Sequence, residues 1–236
     1  MRYELYYWTG IQGRGEFIRL ALEDAGADYI DVARKRGDKA IMSFLRGSQE
    51  GQLPFAPPFL KAGRMVIAQT ATILAYLGPR LGLVPGGAAA ELYAQQLQLT
   101  IADFVVEIHD THHPIAASLY YEEQRPAARR RSQVFHDERL PKFLDYFENV
   151  IERGNGRQAL TRHSYVDLSL FQLVSGLDYA FPRAMHRMRN RIPHLRALAE
   201  RVAERPNIAA YLQSPRRVPF NEQGIFRHYP ALDPAR

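Results

Sequence analysis

Short apolar runs and one amphipathic segment alternate over the first part of the chain. Residues Tyr3–Trp8 have the alternating, β-rich composition of a strand, and Tyr29–Val32 is a second short strand candidate. Between them, Glu16–Ala25 has apolar residues at helical spacing, and Gly26 stands where a glycine often ends a helix. Two strands that flank a helix predict a βαβ unit, in which the strands run parallel.

A second unit follows a polar and irregular stretch, Arg34–Gly51, in which Ile41–Arg46 predicts one short helix. The apolar runs Phe59–Lys61 and Met65–Ile67 are separated by a glycine-containing turn and predict a β-hairpin. The helical pattern of Gln69–Leu77 completes the series. The order βαβ then ββα predicts a small, complete α/β domain.

The composition changes after a segment rich in glycine and proline, residues 79–88, which we predict to link a first domain, 1–78, to a second, 89–236. Only helical patterns follow this linker, and they cover Ala89–His113, Pro126–Arg153, Ser164–Tyr179, Pro193–Ala203 and Pro206–Gln213. From Ser214 the chain is irregular, but its aromatic residues indicate that it packs back on the body. The predicted fold class is therefore α/β followed by all-α.

The overall composition is that of a globular protein. Its 236 residues are 46% hydrophobic and 24% charged, which excludes a disordered chain. The longest apolar run, near Ile101–Ile108, contains Asp103 and Glu107 and is far shorter than the roughly 20 residues that a membrane helix needs. The first ten residues do not have the pattern of a secretory signal, so we expect a soluble, unprocessed, cytoplasmic protein.

The absence of cysteine limits the chemistry most. It excludes disulfides, thiolate zinc sites, iron–sulfur clusters and a protein thiol nucleophile, so any reacting sulfur must arrive with a ligand. The net charge of +6 favours anionic partners. However, the two arginine-rich runs, residues 125–131 and 183–191, have no stacking motif or zinc finger beside them. We interpret them as solvated helix faces and expect neither a nucleic acid nor a membrane as partner.

Five short sequence motifs are informative because of their order and spacing along the chain. They are YYW at 6–8, QGRGEFIRL at 12–20, PFL at 58–60, AQTATILAYL at 68–77 and HSYVDLSLF at 163–171. Together they resemble the cytosolic glutathione transferases over nearly the whole chain. The resemblance is to tyrosine-type members of the sigma, alpha, mu and pi kind, and the sequence resembles that of a bacterial member. The resemblance implies a thioredoxin-like first domain, a homodimer, and glutathione as co-substrate with no metal. It also implies a detoxification reaction, in which the glutathione thiolate is conjugated to a small hydrophobic electrophile.

The resemblance implies that Tyr7 is catalytic, because in tyrosine-type members such a residue ends the first strand and donates a hydrogen bond to the sulfur of glutathione. This bond favours the thiolate and lowers the thiol pKa, which is about 8.5 when unperturbed. Tyr6 is the alternative, because a shift of one residue exchanges the two faces of a strand. Arg14 matches the second arginine of the family's Arg-Gly-Arg loop, although the loop is one residue longer here. In the other interpretation, both tyrosines are core aromatics and Arg14 is a surface charge.

Six further residues match positions that bind glutathione in the family, namely Arg46, Pro57, Pro58, Gln69, Thr70 and Asp103. Gln69 and Thr70 open a helix, whose free backbone N–H groups suit the γ-glutamyl carboxylate. Asp103 either reaches across a dimer interface towards the γ-glutamyl amine or is a solvated helix residue. Pro58 resembles the family's cis-proline. The residue before it normally offers glutathione both N–H and C=O, but Pro57 has no N–H, so one donor is missing.

The residues expected to line a second-substrate pocket are Trp8, His109, His112, His113 and Tyr120. The three histidines share a helix face and also suit zinc, but no distant ligand completes a site, and we predict no metal. Ser164 and Asp167 have the spacing of a capping pair at a helix start and are assigned no catalytic role.

Two other functions remain open. One is a non-catalytic binding or interaction protein that keeps this fold. The other is a glutathione-dependent peroxidase or reductase of small molecules, which needs no protein thiol because the ligand supplies the sulfur. The sequence does not name the electrophile, because apolar pocket walls discriminate poorly between candidates.

Overall fold

The computed structural model describes residues 1–47 and 52–234, and a four-stranded mixed sheet lies in their first part. The strands, in the spatial order β2-β1-β3-β4, are β1 (Tyr3–Tyr6), β2 (Tyr29–Asp31), β3 (Phe59–Ala62) and β4 (Met65–Ala68). β1 pairs with β2 in parallel and with β3 antiparallel, and β3 pairs antiparallel with β4. The predicted βαβ–ββα order is confirmed.

Helices accompany the sheet and dominate the rest of the described chain. They are α1 (Gly15–Asp24), α2 (Val32–Arg36), α3 (Lys39–Gly47), α4 (Thr70–Arg80), α5 (Ala88–Asp110), α6 (Arg125–Val134), α7 (Leu140–Gly154), α8 (Tyr165–Ala180), α9 (Pro182–Met188), α10 (Pro193–Ala203) and α11 (Pro206–Leu212). The first four belong with the sheet, and the others form a helical second half, so the predicted fold class is confirmed. Within the described residues, none of these helices is long and apolar enough to span a bilayer.

Three short elements differ from the sequence prediction. α2 begins at Val32, which was predicted as the end of the second strand, and runs into the stretch predicted to be irregular. Only Val32 and Ala33 of this helix are buried, so it has no periodic apolar pattern. α9 was not predicted either, and it has only 7 residues. The predicted helix Pro126–Arg153 is divided into α6 and α7 by a π-helical turn over Phe135–Arg139. In each case the element is too short for hydrophobic periodicity to reveal it.

α4 runs to Arg80, beyond its predicted end at Leu77, and so enters the segment predicted as linker. The Arg80 guanidinium lies 3.8 Å from the ring centre of Tyr76 and donates to its carbonyl oxygen at 2.9 Å, which stabilises the last turn. Gly78 is a packing position, because a Cβ there would fall 2.7 Å from the ring of Tyr165. Gly78 therefore serves a helix contact and does not mark the end of the helix.

Three apolar clusters hold these layers together. On one face of the sheet, Leu5 and Leu60 pack with Ile18 of α1 and Ile73 of α4. The opposite face packs against α2 and α3 through Tyr6, Phe59, Val66, Val32 and Ile41. The third and largest cluster fills the helical half and includes Phe17 of α1. α1 therefore packs against both the sheet and the helical half.

The segment that follows α11 folds back on the helical half. Phe226 is buried, and the ring of Tyr229 stacks on Tyr121 with centres 4.0 Å apart. The ring of Phe220 stacks on Tyr179 with centres 5.0 Å apart. We call residues 214–234 the C-terminal tail.

A buried capping box begins α8. The backbone N–H and the hydroxyl of Ser164 donate to Oδ2 of Asp167 at 2.7 and 2.9 Å, and the N–H of Ala159 donates to Oδ1 at 2.8 Å. Burial raises the pKa of Asp167, although these donors oppose the effect. The carboxylate thus holds both the helix start and the preceding loop.

We expect Asp167→Ala to lower the free energy of unfolding by about 2–4 kcal/mol, because it leaves buried N–H groups without partners. Denaturant titration followed by circular dichroism measures the change. The matched control is Asp178, which is 41% exposed and pairs with Arg196. Asp178→Ala should cost about 1 kcal/mol or less. Equal losses in the two variants would contradict the role assigned to Asp167.

Candidate active site

Tyr7 directly follows β1, at the start of the loop that leads into α1. Its side chain is only 4% exposed, and the backbone N–H of Arg14 donates a hydrogen bond to its phenolic oxygen at 2.9 Å. Because the oxygen accepts this bond, the phenolic proton stays available for a second acceptor. Tyr7 thus holds a directed O–H group beside the N-terminus of α1.

Two glycines of this loop allow the Tyr7 ring to lie so close to the backbone. A Cβ on Gly13 would fall 2.1 Å from the Tyr7 hydroxyl, and a Cβ on Gly15 would fall 2.5 Å from the ring. Gly13 also has a φ of +47°, which residues with side chains rarely adopt. Because Gly13 and Gly15 have no side chains, the Tyr7 ring can pack directly against the backbone of this loop.

Burial raises the pKa of Tyr7 above its ordinary value of about 10. The N–H groups of Arg14 and Gly15, together with the charges of Arg14 and Arg19, act in the opposite direction because they stabilise the phenolate. The phenol is therefore protonated at neutral pH and donates a hydrogen bond, and these positive groups make it a stronger donor.

Tyr6 lies on the opposite face of the sheet. Its ring stacks on Phe59 with centres 4.5 Å apart, and its hydroxyl donates to Oε2 of Glu4 at 3.1 Å. It belongs to the apolar cluster beneath α2 and α3. Of the two candidate tyrosines, Tyr7 is therefore the one that contacts the loop containing Arg14.

A buried ion network, which the sequence analysis missed, anchors α1 beneath the loop. The Arg19 guanidinium is fully buried and lies 3.2 Å from Glu16 and 2.8 Å from Asp31. Glu16 also accepts hydrogen bonds from the Tyr211 hydroxyl at 2.8 Å and from Arg217 at 2.7 Å. Burial lowers the pKa of Arg19, but the two carboxylates outweigh it, and the pKa is raised. In the sequence, Glu16 and Arg19 interrupt the apolar pattern of α1, and this charged pair could have indicated a buried ion network.

The C-terminal tail contacts the same loop. The side-chain amide of Gln12 donates to the carbonyl oxygen of Val218 at 2.6 Å and accepts from Gln172 of α8 at 2.8 Å. The side chain of Asn221 donates to the carbonyl oxygen of Gly10 at 2.8 Å. The loop is therefore held by residues from the far end of the chain.

The N-terminus of α4 adjoins this loop. The Thr70 hydroxyl donates to the carbonyl oxygen of Arg14 at 3.5 Å. Gln69, which precedes the helix, has a φ of +67°, an uncommon value for a residue other than glycine. The first N–H groups of any α-helix have no partner within the helix, so this end of α4 can bind an anion.

The peptide bond between Pro57 and Pro58 is cis, as the resemblance implied. Pro58 is buried and leads into β3, and Pro57 is half-buried. Only the carbonyl oxygen of Pro57 can bond to a ligand at this position, because its nitrogen carries no hydrogen.

Arg46 and Asp103 lie apart from this group. Arg46 is exposed near the end of α3. Asp103 shares one face of α5 with Leu92, Leu99 and Val106, which are 67%, 50% and 46% exposed. In the part of the chain that the structure describes, no hydrogen bond or ion pair joins either side chain to the Tyr7 loop.

The three predicted histidines form a cluster at the C-terminal end of α5, with ring centres 4.8 to 5.2 Å apart. His112 is buried, and its Nε2 lies 2.8 Å from the carbonyl oxygen of Ile225 in the tail. Burial lowers the pKa of His112 to about 3 and also lowers the pKa of His109 and of His113. The positive charge of Arg14 contributes to the lowered pKa of His109. Among residues 1–47 and 52–234, no group of three metal-ligating side chains could hold a metal ion.

Trp8 and Tyr120 take other positions. Trp8 packs with the Tyr6 and Phe59 cluster on the α2 and α3 side of the sheet. Tyr120 is 76% exposed, and its neighbour Tyr121 takes the buried place against Tyr229. The structure therefore does not bring these two side chains together with the histidines.

A cavity of about 840 Å³ lies between α5, α7 and the loop that follows α7. Its walls include Tyr93, Tyr146, Val150 and Arg153, and neither Tyr7 nor Arg14 nor a histidine lines it. Cavity size therefore does not locate the residues that carry chemistry in this chain.

Comparisons with known proteins agree with this architecture. A family profile, "Glutathione S-transferase, C-terminal domain", matches residues 109–215. A glutathione S-transferase of Plasmodium yoelii yoelii is 24% identical over 203 residues, which cover 85% of this chain and 88% of the relative. Glutathione S-transferase P 10 of Caenorhabditis elegans is 28% identical over 212 residues, covering 89% of this chain and 90% of the relative. The structure is similar to a pi-class glutathione S-transferase of Onchocerca volvulus, with a TM-score of 0.69 and 24% identity over 90% of this chain and 93% of the other. These three relatives come from eukaryotes, so the resemblance to a bacterial member stays a prediction.

Gly15→Ala tests the contact between the loop and Tyr7. Alanine is the better helix former, but its Cβ would lie 2.5 Å from the Tyr7 ring. We therefore expect the free energy of unfolding to fall by about 1–3 kcal/mol, measured by denaturant titration. Gly10→Ala is the control, since nothing lies within 4 Å of a Cβ there, and its effect should stay within about 0.5 kcal/mol. If the Gly15→Ala protein is as stable as the control, the Tyr7 ring does not pack against the backbone of Gly15.

Proposed function

This chain belongs to the cytosolic glutathione transferase family, and we propose that it conjugates the thiolate of glutathione to a small hydrophobic electrophile. One observation carries the proposal: the phenolic oxygen of Tyr7 accepts the Arg14 N–H, so its own proton is left for a ligand atom. The cysteine-free sequence is consistent with a sulfur nucleophile that the co-substrate supplies.

In this proposal, Tyr7 donates a hydrogen bond to the sulfur of glutathione. Such a bond is stronger to an ionised acceptor than to a neutral one, so it lowers the thiol pKa from about 8.5. The charge of Arg14 and the N-terminus of α1 act in the same direction. The thiolate then attacks an electrophilic carbon and forms the C–S bond.

The residues proposed to hold glutathione offer groups of suitable chemistry. The N-terminus of α4, with Gln69 and the Thr70 hydroxyl, suits the γ-glutamyl carboxylate. Arg46 offers a positive charge to a ligand carboxylate. Next to Pro58, the carbonyl oxygen of Pro57 can accept the N–H of the cysteinyl residue, and we propose that this single bond replaces the usual pair.

We propose that the protein is a homodimer whose interface includes α5. Leu92, Leu99 and Val106 recur at intervals of seven residues and leave an apolar stripe on its exposed face. Asp103 lies within this stripe, and across an interface it could reach the γ-glutamyl amine of the other subunit's glutathione.

We further propose that the protein acts in the cytoplasm on small molecules, without a metal, nucleic acid or membrane as partner. Arginines of the two basic runs already pair with carboxylates of this chain, for example Arg131 with Glu107 and Arg191 with Asp145. These pairs leave less positive charge for a polyanion.

Tyr7→Phe tests the catalytic assignment, because it removes the phenolic donor and keeps the ring. We expect kcat/KM for glutathione with benzyl chloride to fall about tenfold or more. Tyr6→Phe is the matched control, since its hydroxyl bonds Glu4 on the other face of the sheet, and its kcat/KM should change less than about threefold.

The opposite ranking of the two variants would assign the sulfur contact to Tyr6. Retention of the wild-type protein on immobilised glutathione without any turnover would favour a non-catalytic binding protein. Turnover of a peroxide but not of benzyl chloride would favour the peroxidase or reductase.

A double variant, Leu99→Glu with Val106→Glu, tests the dimer. Charges on the apolar stripe should repel a second copy, so sedimentation equilibrium should give the mass of one chain, 27.0 kDa, and twice that for the wild type. Val134→Glu, at a partly exposed apolar position of α6, should remain dimeric. A wild-type protein that sediments as a single chain would contradict the dimer.

A further inference from the structure

A second, smaller cavity lies in the helical half, where the loop between α7 and α8 meets α10. Its volume is about 180 Å³, and neither Tyr7 nor Arg14 nor a residue of α4 lines it. Leu198 and Val202, two buried residues of α10, form an apolar part of its wall. This cavity is therefore separate from the residues proposed to bind glutathione at the Tyr7 loop.

Three arginines line this space, and we call it the arginine cavity. Arg157 comes from the loop between α7 and α8, Arg201 from α10, and Arg205 immediately precedes α11. Three separate segments of the chain thus bring guanidinium groups to one small space.

Two of these guanidiniums are held in place by part of their hydrogen-bonding groups. Nη2 of Arg201 donates to the backbone carbonyl oxygen of Arg157, and Nε and Nη2 of Arg205 donate to the two carboxylate oxygens of Asp24. A guanidinium has more N–H donors than these bonds use, so both side chains keep donors for a ligand. Among residues 1–47 and 52–234, no carboxylate forms an ion pair with Arg157 or Arg201.

The carboxylates near the arginine cavity do not balance its positive charge. Of the described carboxylates, Asp167 alone lines the cavity, and its oxygens already accept the N–H groups of the capping box at α8. Asp24 is shared between Arg205 and His163, whose Nε2 lies 3.0 Å from its Oδ2. Three guanidiniums thus face a single carboxylate whose oxygens are occupied, which favours an anionic ligand.

The volume restricts this anion to a small one. A water molecule takes about 30 Å³ in the liquid, so a cavity of about 180 Å³ holds roughly six groups of that size. A central atom with its tetrahedral oxygens fits this space, whereas a whole nucleotide or a folded peptide does not. The planar donor groups of arginine match the oxygens of a phosphate, to which they can form paired hydrogen bonds.

We propose that the arginine cavity binds a phosphate group, either as inorganic phosphate or as the phosphate of a small monoester. Arg157 and Arg201 donate to its oxygens, and Arg205 donates with the nitrogen that Asp24 does not use. Leu198 and Val202 keep water away from one side of the ligand, which strengthens these charged contacts. The ligand takes no part in the thiolate reaction, so this inference does not depend on the proposed function.

A phosphate bound here stabilises the folded chain. It connects the loop between α7 and α8 to α10 and to the start of α11, where the bond from Arg201 to the Arg157 carbonyl already joins two of these segments. A ligand that binds the folded state but not the unfolded state raises the free energy of unfolding by mass action. We therefore expect the Tm to rise with phosphate concentration, and sodium chloride of the same ionic strength should not reproduce the rise.

Isothermal titration calorimetry with sodium phosphate at constant ionic strength tests the site. The wild-type protein should show saturable binding with one phosphate per chain. Arg157→Gln keeps the backbone carbonyl that Arg201 uses, and it should raise the Kd for phosphate about fivefold or more. Arg187→Gln is the matched control, because it removes the same charge from the exposed surface of α9, and it should change the Kd less than about twofold.

Two further titrations locate the anion and identify its source. Saturating glutathione should leave the Kd for phosphate unchanged, because the N-terminus of α4 does not line the arginine cavity. Phenyl phosphate that binds more tightly than phosphate would assign the site to monoesters, and the reverse order would assign it to free phosphate. Arg201→Gln should weaken both ligands, and its Tm without phosphate separates lost binding from lost folding.

Three results would overturn the inference. The first is the absence of saturable binding of either ligand in the millimolar range. The second is equal weakening by Arg157→Gln and Arg187→Gln, which would assign the effect to net charge. The third is loss of phosphate binding when glutathione is added, which would place the anion at the N-terminus of α4. Each of these results would leave the proposed transferase activity standing.

Discussion

The hydrogen bond from the Arg14 backbone to the Tyr7 oxygen is the constraint on which the rest of the site depends. It occupies the acceptor side of the phenol, so the donor side alone is left for a ligand. The bond forms because Gly13 and Gly15 bring the loop onto the aromatic ring, where a Cβ at either position would overlap it. A phenol that is buried and bonded in this way stays protonated, and its direction is set by backbone.

The position of that backbone is itself set by long-range contacts. Arg19 is buried between Glu16 and Asp31, and Arg217 of the tail closes the network on Glu16. A buried charge is costly unless it is paired, so these partners restrict how α1 and the tail can lie. The loop that carries the proposed chemistry is thereby tied to both ends of the chain, which accounts for the extensive contacts of a tail that is largely irregular.

The sequence predicted what local periodicity encodes. The four strands and α1 were found because their apolar residues recur at a strand or helix period, and the motifs at Tyr7, Pro58 and Thr70 identified the residues around the loop. It could not choose between Tyr6 and Tyr7, because neighbouring residues of a strand differ only in the face they occupy. It also missed the tail-side partners of Glu16, Tyr211 and Arg217, because they are distant in sequence, and it ended α4 at Leu77, before Gly78 packs against Tyr165.

The central claim, that the Tyr7 proton stabilises a bound thiolate, is tested most directly by titrating the thiol of glutathione in its complex with the protein. The ultraviolet absorbance of the thiolate reports its ionisation as the pH is varied. The account predicts a thiol pKa below about 8.5 in the wild-type complex and a return towards that value when phenylalanine replaces Tyr7. A bound thiol with the same depressed pKa in both proteins would contradict it.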